Sequence, residues 1–380
     1  MILYELAIIG ASSDAQIAEL EQYVRQIIQP FRLRLAHEIG WHIRPTGFSP
    51  SLVTPAAVTF FGGVGVSTDG LDTLLASGTP ILPVASAEQR ISAEIPMELR
   101  PLNCLTCANH GMHRIATALL ECVGLLPRQR RVFVSYRREG ARQAALQLFD
   151  ALSSRLFDVF LDTHGIAPAE DFQAVLWHRL CDSDVLVMLD TPDYFESRWT
   201  SAEYGRALAK GISVLRIGWP GVNPSPRTLT ASHIDLSDGG MDASTGRLTD
   251  QVVDRICLQI EFVRGKSHAV RSLNLFSNLR QGIERIGGRV AGVGTHQAVY
   301  LTLPNGKNIV VYPTVGVPTS IDLNDAAKRT TGLPVAIAYD HIGLDERWLE
   351  HLAWLEKNIT VVRWVKASEA AWALAGWEVP

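Results

Sequence analysis

Two α/β domains built on parallel sheets, followed by an α+β domain, are what this sequence predicts. Three observations carry the prediction. Short apolar runs alternate with amphipathic stretches through the first 264 residues, the signature of strand–helix–strand units. The 380 residues exceed one ordinary domain. The last third changes grammar, with three β-rich runs in succession.

The expected first domain spans 1–126 and is Rossmann-like in pattern. Leu3 to Ile9 is a continuous apolar run ending at Gly10, as in a strand buried on both faces. An amphipathic helix is expected from Asp14 to Ile28, then strands at Ala57–Phe61 and Pro80–Val84, with a helix from Thr68 to Ala76 between them. A strand from Leu102 to Cys107 should pass to a helix beginning near Met112. Leu126 to Arg130 has the composition of a linker.

The second domain, 131–264, shows the same logic more sharply. Strands are expected at Val132–Tyr136, Asp158–Leu161, Val185–Leu189 and Ile212–Ile217. Helices are expected at Ala141–Ser153, Ala169–Cys181 and Trp199–Ala209, with a closing helix from Leu248 to Phe262. That order in so short a span predicts a compact flavodoxin-like sheet. Gly265-Lys266-Ser267 then looks like a break. The third domain, 267–380, should open on a helix from Leu273 to Ile286. Strands at Arg289–Val293, Ala298–Leu303 and Asn308–Tyr312 follow, then Val335–Ala338, a helix over Asp345–Lys357 and a strand over Thr360–Val365. The order faintly suggests a degenerate nuclease sheet. Its strand at Ile309–Tyr312 lacks the acids such an enzyme uses to hold a divalent metal, and a binding or assembly role is expected instead.

Bulk composition excludes several classes. Hydrophobic residues make up 47% and charged ones 19%, which is globular composition. A net charge of −4 gives no general affinity for a phosphate backbone, although it leaves local nucleic-acid contacts open. No stretch approaches the ~20 apolar residues that cross a bilayer, and no cationic segment precedes the first apolar run, so a cytoplasmic protein without membrane partners is expected. Five cysteines do not make a disulfide framework.

Two local clusters invite chemistry. Cys104, Cys107, His110 and His113 have zinc-ligand residue types, but all four fall within ten residues, where a finger separates its pairs by ~12. A buried strand followed by two helix-start histidines is the favoured reading, and no metal is expected. Gly62-Gly63-Val64-Gly65-Val66-Ser67 follows a strand and precedes a helix, a candidate phosphate-cradling turn without the G-x-G-x-x-G spacing.

The most specific signal is a set of boxes in the second domain. Arg131-Val132-Phe133-Val134-Ser135-Tyr136-Arg137-Arg138-Glu139 resembles the opening strand of TIR (Toll/interleukin-1 receptor) domains. Phe160-Leu161-Asp162 and the loop Thr163–Ala169 resemble the second strand and BB loop of that family, and Val185–Asp190 its third strand. Tyr194 to Glu203 resembles the family's Y-x-x-S-x-W-x-x-x-E signature at the start of the next helix. Gly140 and Ala141 depart from the acidic residue and serine common after the first box.

The resemblance implies an NAD+ glycohydrolase or cyclase of the prokaryotic anti-phage type, cleaving the nicotinamide–ribose bond when assembled through TIR–TIR contacts. NAD+ would then be substrate, with no cofactor needed. Glu203 would be the catalytic carboxylate. Tyr194, Ser197 and Trp199 complete its signature as substrate-binding residues. Tyr136, at the end of the first strand, is a further candidate for the ligand, and Arg137 and Arg138 could neutralise a pyrophosphate. The chemistry is coherent: departure of neutral nicotinamide needs no proton donor, and one carboxylate beside the ribose stabilises the oxocarbenium-like charge. By itself Glu203 would equally fit a capping box with Thr200. Two other functions share these residues. A TIR adaptor would act by association alone, and a nucleoside-processing transferase would use a glutamate beside a ribose. The first domain, 1–126, is either Rossmann-like or a diverged TIR-like unit without the W-x-x-x-E, and the flanking domains are expected to take a regulatory ligand or partner protein.

Overall fold

The computed structural model describes all residues except 52–53, 162–170, 243, 331 and 377–380. Contacts divide the chain into two compact units: Met1–Arg128 with Gly294–Gln297, and Gln129–Val293 with Ala298–Pro380.

In the first unit, β1 (Tyr4–Gly10), α1 (Asp14–Ile28), β2 (Ile39–Ile43), β3 (Ala56–Phe61), α2 (Leu71–Ala76), β4 (Ile81–Ala85), α3 (Ile91–Glu94), β5 (Leu105–Thr106) and α4 (Cys107–Cys122) form one α/β layer set. The strands are all parallel, in the order β2-β1-β3-β4-β5. Ser13 caps α1 in a capping box with Gln16, and Ile17, Leu20, Val24, Ile27 and Ile28 put its apolar stripe into the core. Gly10, at φ +87°, turns the chain out of β1 so closely over β3 that a Cβ there would lie 2.1 Å from the Phe61 carbonyl oxygen.

The glycine run after β3 has a packing explanation. A Cβ on Gly62 would approach the Glu94 carbonyl oxygen to 2.8 Å, and one on Gly63 the Ala11 Cβ to 2.6 Å. The helix that follows has only six residues and starts at Leu71, too far on and too short for a phosphate cradle. The Cys/His run divides between the end of β5 and the start of α4, which bends at Gly111. Among the described residues no group of three His, Cys, Asp or Glu could hold a metal ion. His110 Nδ1 lies 3.1 Å from the Thr106 backbone N–H, and His113 is buried edge-on against Tyr23. Burial holds the His113 imidazole down to about 4. Its folded pKa lies below its unfolded one, so the unfolded chain takes up the proton first. Stability present near neutrality is therefore lost as pH falls through the window from the ordinary histidine value to about 4. Between pH 7 and pH 5 this should cost about 1–2 kcal/mol. Urea midpoints at the two pH values, wild type against His113→Gln, check it: the variant should lose the smaller part of its stability on acidification.

The second unit holds two sheets. β6 (Arg131–Ser135), α5 (Arg138–Ser153), β7 (Asp158–Leu161), α6 (Phe172–Asp182), β8 (Val185–Asp190), α7 (Arg198–Ala209), β9 (Ser213–Gly218) and β10 (Ser232–Asp235) give a parallel sheet ordered β7-β6-β8-β9-β10. Counted within each sheet, both parallel sheets run 2-1-3-4-5, the flavodoxin-like order. Regular α5 geometry begins at Ala141, because Glu139 is extended and Gly140 sits at φ +88°. That left-handed turn accounts for the glycine that departs from the family pattern. β2 and β10, absent from the sequence reading, are short edge strands without a continuous apolar run.

The expected break at Gly265-Lys266-Ser267 does not occur. Helix α8 (Asp250–Arg285) runs 36 residues through it. Val253, Ile256, Cys257, Ile260 and Val263 pack on the first sheet's core, while Leu279 and Ile283 join the core of the next. Gly265 and Ser267 are buried on this helix, and Ser267 Oγ accepts the Ser213 N–H at 3.0 Å. Glycine inside a helix costs only ~1 kcal/mol, which such packing offsets.

The third sheet contains β11 (Arg289–Val293), β12 (Val299–Thr302), β13 (Asn308–Thr314), β14 (Val335–Tyr339) and β15 (Val362–Lys366) in sequence order. β11 to β13 are antiparallel, and β13 to β15 parallel. Three helices accompany it: α9 (Ser320–Arg329), α10 (Glu346–Asn358) and α11 (Ala370–Ala375). Among the described residues no helix is long and apolar enough to cross a membrane.

Candidate functional site at the carboxyl edge of the second sheet

Ser135 is the last residue of β6, and strand alternation separates its face from that of its neighbours. Val132, Val134 and Tyr136 enter the core beneath α5 and α8, while Phe133 enters the core that holds Tyr194 and Tyr204. Tyr136 is thus buried among Val134, Ala141 and Leu189, on the opposite face from Glu203. The strand period that buries the valines takes its ring with them, so the structure does not bring it to the carboxylate.

Glu203 comes from the second turn of α7. Ser197 is the N-cap of this helix, its Oγ accepting from the Thr200 N–H. Thr200 instead turns its hydroxyl back to donate to the Tyr194 carbonyl. The Thr200–Glu203 capping box is therefore not formed, and the Glu203 carboxylate is directed inward, 6% exposed. There the Ser135 hydroxyl donates to Glu203 Oε2, and the Tyr194 hydroxyl lies 2.6 Å from Ser135 Oγ. A serine that spends its single proton on the carboxylate can only accept from the tyrosine, so the chain runs Tyr194 to Ser135 to Glu203. Burial, then the nearby Glu203 charge, raises the Tyr194 phenol well above its ordinary range and keeps it a neutral donor.

Ser135 belongs to the opening box but is not among the site residues that the resemblance implies. The signal was available, since Phe133 and Ser135 share a strand face and Ser135 ends the strand at the ligand-binding edge. Tyr194→Phe should strip Ser135 of its donor inside the core. A loss of about 1–2 kcal/mol is expected by urea denaturation, the cost of one unsatisfied buried hydrogen bond.

Trp199 lies one turn before Glu203 but is 40% exposed, edge-on to Phe172 at 6.5 Å with the Arg198 guanidinium 4.5 Å over its ring. It is a surface aromatic beside the site, not a core residue. Arg137 is turned to the loop after β8, where it donates to the Asp193 carbonyl at 3.1 Å and faces the Asp193 and Glu139 carboxylates at 3.6 Å each. It ties two edge loops together. Arg138 is exposed on the α5 side. The loop Thr163–Ala169, expected to help build the site, lies outside the described residues.

A second buried group, missed by sequence reading, borders this edge. Arg216 on β9 is 2% exposed, with Asp190 of β8 at 2.5 Å and Asp235 of β10 at 2.6 Å. It clamps the carboxyl ends of three strands. A Cβ on Gly218 would come within 2.5 Å of Asp235 Oδ1 and 2.7 Å of the guanidinium, so a larger residue there would have to displace the clamp.

No curated protein matches the sequence. Among solved structures, a crystal structure of tagatose-6-phosphate ketose/aldose isomerase from Escherichia coli is 13% identical, covering 70% of this chain and 82% of that one at a TM-score of 0.21. So distant a likeness has no bearing on the chemistry. The family model described as TIR domain matches residues 132–251. That span opens with β6, takes in Ser135, Tyr194 and Glu203, and ends within the first turn of α8. Residues 132–251 are a TIR domain, and the chain is a TIR-domain protein.

Proposed function

We propose that this protein cleaves NAD+ between nicotinamide and ribose, with Glu203 as the carboxylate that stabilises the ribosyl cation. The observation that supports the reading is the setting of Glu203: inside the protein, at the carboxyl edge of a parallel sheet, with hydroxyl groups for neighbours. Burying a carboxylate costs several kcal/mol after relaxation. An adaptor that only associates has no use for that cost, whereas a glycosidic cleavage uses the charge directly.

In this reading Ser135 fixes one carboxylate oxygen, and Tyr194 holds Ser135 in the rotamer that does so. The carboxylate so held is the group that meets the ribose. As the C–N bond lengthens, positive charge grows on the sugar, and a fixed negative group in a water-poor site stabilises it without reorganisation. Nicotinamide leaves neutral, and water or a nucleophile of the same molecule completes the reaction, giving a linear or a cyclic product. Trp199 and Phe172 supply exposed aromatic surface beside the site for a planar base. The setting we infer is a cytoplasmic immune effector that works as an assembly of TIR domains.

The test is to incubate the purified full chain with NAD+ across a range of protein concentrations, with and without crowding agents that drive assembly, and to resolve products by chromatography. Nicotinamide release that rises faster than linearly with protein concentration is expected. Self-association with no release in any assembly state would instead establish the adaptor.

A further inference from the structure

The TIR domain and the C-terminal sheet enclose a cavity of about 120 Å³ that the NAD+ reading does not use. It lies at the carboxyl edge of the parallel strands β13, β14 and β15, contacted by Thr314, Asp340 and Ala367 just at or beyond their ends. This is the edge at which open α/β sheets take ligands. The opposite wall comes from the end of α7, through Lys210, and from α8, through Arg271 and Asn274.

The charges here do not balance. Lys210 Nζ pairs with Asp340 Oδ2 at 2.5 Å. Arg271 is 8% exposed, and its terminal nitrogens donate to the Ser183 and Cys181 carbonyls at 2.9 and 2.8 Å. Among the described residues no carboxylate lies within ion-pair distance of it. The nearest candidates are engaged: Asp182 by Arg131 at 2.6 Å and Asp184 by Arg264 at 3.0 Å. Buried charges are ordinarily paired, because an isolated one carries a large desolvation cost. Two cations and one carboxylate thus line the cavity, leaving one positive charge in excess. The volume is well below the roughly 300 Å³ at which pockets enclose whole cofactors, so it suits a head group whose remainder stays outside.

We propose that this cavity binds the phosphoryl group of a small anionic molecule, held by Lys210 and Arg271 and competing with Asp340 for the lysine. A tetrahedral dianion takes donors from several directions, and the cavity offers the two cations, the Asn274 amide and the Thr314 hydroxyl from opposite walls. Lys210 ends the helix that carries Glu203, so a ligand here draws on the contact that ties that helix to the C-terminal sheet. The binding itself is independent of what Glu203 does.

Inorganic phosphate is the probe. The full chain is titrated at constant ionic strength, with chloride as the replaced anion, and followed by calorimetry and by melting temperature. Saturable binding with a rise in melting temperature is expected. Lys210→Met should weaken it about tenfold, the worth of one charge-assisted hydrogen bond. Asp340→Asn, at a half-exposed position where folding is not at stake, should tighten it several-fold by removing the competitor. A response that never saturates, or an affinity that both variants leave unchanged, overturns the assignment.

Discussion

Glu203→Gln should lower nicotinamide release from NAD+ by about a thousandfold, the upper range for losing one preorganised electrostatic group, while the protein stays folded and self-associates as before. The substitution isolates charge from shape. Glutamine has the volume of glutamate, and its amide oxygen still accepts the Ser135 hydroxyl, so the chain from Tyr194 through Ser135 survives. What disappears is the negative charge facing the developing ribosyl cation. Relieved of a buried carboxylate, the variant should melt no lower than wild type. Circular dichroism and a melting curve, run beside a chromatographic nicotinamide assay, separate the outcomes. Wild-type turnover in the glutamine variant would eliminate Glu203 as the reacting carboxylate. An unfolded variant would be countered by Ser135→Ala, which leaves the charge in place and loosens only its aim. That second variant should retain measurable release, because it removes a positioning contact.

The path from sequence to this site was legible where a rule was local and opaque where it depended on neighbours. Both parallel sheets could be anticipated because their inner strands are buried on two faces and so read as unbroken apolar runs, as at Val185–Leu189. The edge strands β2 and β10 could not, since an edge buries little and Ser232–Asp235 contributes one apolar side chain. Glu203 could be picked out because Tyr194 to Glu203 carries the family's Y-x-x-S-x-W-x-x-x-E signature in one continuous stretch, whereas spacing alone equally fits a capping box. The hydroxyl partner could not be weighed so easily: Ser135 lies 68 residues away, and only the pairing of β6 beside β8 brings it to Tyr194 and Glu203. Tyr136 shows the same limit from the other side. Its place at a strand end was visible, but the alternation that carries it into the α5–α8 core outweighed that position. The arginine clamp at Arg216 was invisible for a related reason, since its two acids come from different strands.

The misread segment at Gly265-Lys266-Ser267 leads to the largest stability effect expected in the molecule. Arg264, immediately before it on α8, has 0% exposure. Its Nε donates to Asp184 Oδ2 at 3.0 Å and a terminal nitrogen to the Gln129 carbonyl at 3.0 Å, while Glu261, one turn earlier, pairs with Arg130. Arg130 in turn stacks 3.8 Å over Phe157. One helix thereby grips both the approach to β6 and the approach to β8. Arg264→Ala would leave Asp184 buried without its cation, and breaking a buried pair from one side costs about 3–5 kcal/mol. Arg264→Lys should cost less, roughly half, since it keeps the charge but cannot donate to Asp184 and Gln129 with a fixed fork. Because a chain of several domains need not unfold in one step, the measurement should be local: hydrogen exchange resolved by peptide, with β6, β8 and α8 losing protection together in Arg264→Ala. Protection unchanged in those three segments would mean that the grip contributes nothing, and that apolar packing of α8 alone holds the two sheets it spans.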